Sequence, residues 1–105
     1  MNYEEISFQL ILHSGNARSL AHEALSDVKE DKVEIAKEKL KEAKEELLQS
    51  QKLHAQMLRE MANDVEIKIN LLLIHAEDHV ASSDCVLMMA NEVVGIYERF
   101  GKTHG

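Results

Sequence analysis

The chain has 105 residues, no proline, few aromatics and abundant Ala, Leu, Glu and Lys. That length makes one domain, residues 1–105, with a core modest enough to favour self-association, and the composition is that of an all-α protein with long uninterrupted helices. A net charge of −7, with lysines scattered among glutamates in "KEKLKEAKEELL", excludes a nucleic-acid footprint and an anionic membrane partner.

The opening "NYEEISFQ" has neither a basic n-region nor a cleavable apolar segment, so a cytoplasmic chain with nothing removed is expected. Asn2 with Glu5 forms a capping-box pattern. Ile6, Leu10, Ala17, Leu20, Ala21, Ala24 and Val28 then recur at helical spacing, which predicts a first helix from about Asn2 to Lys29. Gly15 falls inside it, where glycine costs about 1 kcal/mol relative to alanine, and a neighbouring helix is expected to approach closely there.

Asp31 and Glu34 form a second capping signature. Val33, Ala36, Leu40, Ala43, Leu47, Ser50, His54, Met57 and Met61 follow it in an a/d seam. The opposite face carries Lys and Glu, often paired at i,i+4, and is a solvated surface. His54 lies on the seam, where a hydrogen-bonded interior histidine is expected rather than a ligand. Neither His22 nor His104 has a partner at ligand spacing.

A break at "MANDVEI", with Asn63 and Asp64 as cap candidates, leads into a third helix reaching about Phe100, where Gly101 stops it. The result is an antiparallel up-down-up arrangement. Ile67, Ile69, Leu71, Leu72, Leu73, Ile74, Val80, Val86, Leu87, Met88, Met89, Val93 and Val94 point all round the third helix, which predicts burial on nearly every side. Two partner helices cannot enclose it, and its carboxylates and histidines argue against a membrane span. Other copies of the chain are expected to cover the remaining faces. Cys85, the single cysteine, excludes an intrachain disulfide and is expected to be a buried thiol.

Within "LLLIHAEDHVASSD", His75, Asp78, His79 and Ser82 fall in one arc about 100° wide, with Glu77 nearly opposite. Three readings fit that face. "HAEDH" has the form of a zinc-hydrolase motif with Asp for the expected Glu, but the shorter acid and the short chain remaining for a third ligand count against it. A di-iron bundle lacks its Glu-x-x-His motif. A hydrogen-bond network that fixes register is the second reading, and spacing alone favours it. The third is a nucleophilic histidine, since neutral imidazole attacks phosphorus readily and departs as a good leaving group.

"LILHSGNARSLAHEAL" in the first helix, together with "NLLLIHAEDHVASS" in the third, resembles the lactose/cellobiose-type enzyme IIA of the bacterial phosphoenolpyruvate-dependent sugar phosphotransferase system. The likeness runs over essentially the whole chain and centres on an "IHAxDH" core. It implies a cytoplasmic homotrimer of three-helix protomers, a nine-helix bundle. It also implies a phosphotransferase component that carries phosphohistidine, not a stand-alone sugar kinase. By the resemblance, His75 is phosphorylated at Nε2 by the histidine-containing phosphocarrier protein and passes the group to a cysteine of enzyme IIB, for uptake of a β-linked disaccharide. Asp78 and its two symmetry mates then bind a divalent cation, taken as magnesium, on the trimer axis. His79 supports the phosphoryl group, with Ser82 and Ser83 as further donors. One departure is Glu77, where the family commonly has glutamine. The alternative reading is a trimeric helical metal-binding or interaction protein without phosphotransfer.

Overall fold

The computed structural model describes residues 2–63 and 69–101, and these form three helices, α1 (Tyr3–Lys29), α2 (Val33–Ala62) and α3 (Leu71–Phe100). They run up, down and up, as the short connections require, in a rod with extents of 62 × 19 × 15 Å. No strand occurs among the described residues. None of the helices is long and apolar enough to cross a membrane.

The first cap is the one read from the sequence. Asn2 accepts from the Glu5 amide at 3.1 Å, and Glu4 and Glu5 place negative charge at the positive end of the helix dipole. The second is different. Asp31 adopts φ 62°, and around it the Lys32 amide donates to Asp27 O and the Asp31 amide to Val28 O. That paired pattern is a Schellman closure of α1, with aspartate in the left-handed position that glycine usually fills. Asp31 is thereby committed to the turn, and α2 starts from Lys32 with no side-chain cap.

The third helix begins later than the sequence suggested. Asn63 ends α2 instead of capping α3, Asp64 and Ile67 lie outside the described residues, and Ile69 precedes the helix. Asn70 is the cap, accepting from the Leu73 amide at 2.9 Å.

Two apolar clusters fill the rod. Ala17, Ala21, Ala24, Ala36, Ala43, Leu47, Leu87 and Val94 are among those in one, where the alanines let backbones approach. Leu10, Met57, Leu73, Ala76 and Val80 make the other, beneath the start of α3. Three of the buried serines, Ser14, Ser50 and Ser83, one from each helix, separate them. Ser14 Oγ donates to Ser50 Oγ at 2.8 Å, Ser50 Oγ to Leu10 O at 3.4 Å, and Ser83 Oγ to Ser14 O at 2.9 Å. A satisfied polar layer in an apolar core fixes register, since sliding would orphan its hydroxyls. Ser50→Ala should cost about 1 kcal/mol in urea denaturation, because Ser14 loses its acceptor but can turn to the carbonyl four residues back.

Two expectations fail within one chain. An added Cβ on Gly15 would meet nothing within 4 Å, because its side of α1 faces no helix of the same chain. Likewise α3 is not buried all round: Leu73, Ala76, Val80, Leu87, Ala90 and Val94 face the core, while Leu71 (79%), Ile74 (55%) and Met89 (65%) are exposed. Two neighbouring helices cover only part of its circumference.

Candidate functional site

The core-facing positions Leu73, Ala76 and Val80 fix the rotation of α3. Helical periodicity then turns His75, Asp78, His79 and Ser82 outward along one side. His75 and Asp78 are exposed, whereas His79 and Ser82 are half-buried. The two histidines, one turn apart, meet edge to face with ring centroids 4.5 Å apart and their Nε2 atoms 3.1 Å apart.

That contact holds one hydrogen between two nitrogens, so the tautomers are linked. His79 Nδ1 is buried and has no partner among the described residues. An orphaned buried N–H is rarer than an orphaned acceptor, which assigns the shared proton to His79 Nε2 and leaves the Nε2 lone pair of His75 as its acceptor. Burial, then the neighbouring His75, then the positive charge of Arg18 hold the His79 pKa below the usual histidine range, with Asp78 opposing them. His79 is thus kept as a neutral donor.

Arg18 is the member of the site that sequence reasoning missed. It reaches across from α1 and donates from Nη1 to Ser82 Oγ at 3.2 Å, while Ser82 Oγ donates to His79 O at 3.4 Å. Arg18 lies within the quoted α1 segment, but nothing in its local pattern says which face turns toward α3. Ser83 does not join the site, since its hydroxyl is buried and bound to Ser14 O; it faces the core, one residue round from Ser82.

Glu77 points to the other side of α3, as helical geometry required. His54 Nε2 lies 2.7 Å from both its carboxylate oxygens, so His54 is the hydrogen-bonded histidine expected on the seam. His13 makes a similar bond from Nδ1 to Glu46 at 2.6 Å. Cys85 is exposed, not buried. It stands seven residues beyond Asp78, on the same outward line, and its apolar neighbours belong to that exposed stripe rather than to the core. No group of three His, Cys, Asp or Glu side chains among the described residues could hold a metal ion, so one chain does not make a metal site around Asp78.

The geometry is that of an exposed imidazole backed by a neutral donor and a cation. The protein-family model for the lactose/cellobiose-specific IIA subunit of the PTS system matches residues 5–98. The lichenan-specific phosphotransferase enzyme IIA component of Bacillus subtilis (strain 168) is 36% identical over 102 residues, covering 97% of this chain and 93% of that protein. The crystal structure of the PTS cellobiose-specific enzyme IIA from Bacillus anthracis superposes with a TM-score of 0.90 at 36% identity, over 97% of this chain and 94% of that one. The IIA(chitobiose) in the solution structures of its HPr complex, from Escherichia coli, superposes with a TM-score of 0.76 at 27% identity, over 96% and 98% of the two chains. The chain therefore belongs to the lactose/cellobiose-specific IIA subunit family of the PTS, and is a phosphotransferase component of sugar uptake that carries phosphohistidine.

Proposed function

We propose that His75 is the phosphorylated residue, that it takes the phosphoryl group on Nε2 from HPr, and that it passes it to a cysteine of enzyme IIB in the cytoplasm. The observation that carries this reading is the 3.1 Å contact between the Nε2 atoms of His75 and His79, which keeps His75 Nε2 unprotonated, its lone pair held as an acceptor on an exposed ring. That lone pair attacks phosphorus in line, and the bond from phosphorus to the donor's ring nitrogen breaks with its electron pair going to that nitrogen. The donor ring gains a proton as His75 Nδ1 gives one up through solvent. Little covalent work falls to the protein, so positioning and neutralisation of the phosphoryl oxygens dominate. His79 Nε2–H, released from the His75 lone pair, becomes a donor to one of those oxygens. The HPr complex of the chitobiose relative supports the same donor here. Lichenan and cellobiose, named for two relatives, favour a β-linked disaccharide as the sugar finally phosphorylated.

A homotrimer completes the reading. The chain exposes 7107 Å², against about 6,000 Å² for a compact monomer of its mass, and Leu71, Ile74 and Met89 account for part of the excess. Packing α3 of three copies along that stripe brings three Asp78 carboxylates together. A shared divalent cation with oxygen ligands, magnesium by the family resemblance, would relieve their repulsion. Neutralising that charge is the ion's contribution, and no step of the transfer runs through it. Asp78→Leu should abolish retention of a divalent ion in native mass spectrometry while the trimer persists, since an apolar replacement for buried charge is often neutral or stabilising. Loss of trimers in that variant would make the ion a required staple.

The test of the relay is intact-protein mass spectrometry after incubation with phosphoenolpyruvate, enzyme I and HPr. An acid-labile gain of one phosphoryl group, mapped to His75, is expected. Its absence, or its location on another residue, would sink the assignment.

A further inference from the structure

Arg18 stands on α1 beside the histidine pair, and its surroundings suit an anion. Arginine carries five N–H donors in a planar fork. One of them goes to Ser82 Oγ, and among the described residues no carboxylate lies within ion-pair distance of the guanidinium. This is an acidic chain, with 19 Asp and Glu against 12 Lys and Arg, yet the cation nearest the reactive face keeps most of its donors unused.

The placement is directional. Ser14 and Ser83 lock α1 to α3, and the two helices run parallel, so the Arg18 side chain, tilted toward its own helix N-terminus, leans toward the end of α3 where His75 lies. Ser82, His79 and His75 are successive stations one turn apart along that side. His75 Nε2 turns back to within 3.1 Å of His79 Nε2, and His79 lies one turn, about 4.5 Å along the axis, from Ser82, so the guanidinium parked at Ser82 has about one turn to cover.

We propose that Arg18 binds the phosphoryl group carried by His75, moving its guanidinium from the parking contact with Ser82 Oγ onto two phosphoryl oxygens. The proposal rests on His75 being the phosphorylated residue. A guanidinium fork engages two oxygens at once, whereas an ammonium acts as a point charge. Arg18 thus serves the bound group in two ways: it lowers the barrier by neutralising equatorial charge, and it retains the phosphoryl group against return to the donor.

Wild type, Arg18→Gln and Arg18→Lys would be incubated with phosphoenolpyruvate, enzyme I and HPr. The readouts are the initial rate of phosphate uptake, the equilibrium ratio of phosphorylated IIA to phosphorylated HPr, and the thermal melting temperature. Arg18→Gln should lower both rate and ratio at least tenfold at an unchanged melting temperature, and Arg18→Lys should recover part of each. Wild-type rate and ratio in Arg18→Gln would overturn the proposal. So would equal impairment of both variants with a matching fall in melting temperature, which is the signature of a structural residue. Failure of the wild type itself to take up phosphate on His75 would remove the reading beneath the proposal, and it is read before any Arg18 variant is compared.

Discussion

His75→Gln gains no phosphoryl group from HPr, and its helical content, oligomeric state and melting temperature match those of the wild type. Glutamine keeps a polar side chain of similar reach and comparable or better helix propensity, but its amide has no nucleophilic lone pair to form a phosphoryl–nitrogen bond. Because His75 is exposed and bonds to His79 alone among the described residues, the substitution should change stability by no more than about 0.5 kcal/mol. The discriminating measurement pairs phosphate uptake with size-exclusion chromatography. Retained phosphorylation would place the nucleophile elsewhere, and dissociation of the variant would mean that a structural histidine had been taken for a reactive one.

The largest effect on folding is expected at Met57. Its side chain is completely buried in the cluster with Leu10, Leu73, Ala76 and Val80. That cluster is the floor on which the histidine-bearing turns of α3 rest. Met57→Ala removes the packed atoms and leaves a cavity, at a cost of about 2–5 kcal/mol, a large share of the roughly 5–15 kcal/mol that holds a domain folded. Equilibrium urea denaturation should show the midpoint falling with little change in slope. An unchanged midpoint would mean that α2 and α3 collapse onto the vacancy, and that the floor is softer than its burial implies.

Much of this architecture is legible in the chain itself, because helices carry their own punctuation. The Asn2–Glu5 pattern set the start of α1, and Lys29 and Phe100 end their helices as read. The failures have specific causes. Asn63, Asp64 and Asn70 are all chemically able to cap a helix, and the isoleucines at 67 and 69 extend the apolar pattern backward, so periodicity alone could not choose the start of α3. Asp31 satisfies a capping pattern and a left-handed turn equally well, and the tight closure of α1 took it. The meeting of His75 and His79 follows from four-residue spacing on any helix. The contact of Arg18 with Ser82 spans 64 positions and depends on how α1 and α3 are rotated against each other, which is decided by the alanines and serines between them. Cys85 was misread because apolar neighbours along a sequence do not distinguish a core face from an outward stripe.

The serine layer has a consequence for how such a protein can change over time. Slippage by one turn, about 5.4 Å, would strand the buried hydroxyl of Ser83 if α3 moved along α1, and those of Ser14 and Ser50 if α2 did, so the helices have a single registration, enforced from inside. The span between Arg18 and the histidines is thereby set without help from the Lys- and Glu-rich exterior of α2. That exterior is free to drift and to suit different partner proteins while the relay keeps its dimensions, an interchangeable casing around an invariant gauge.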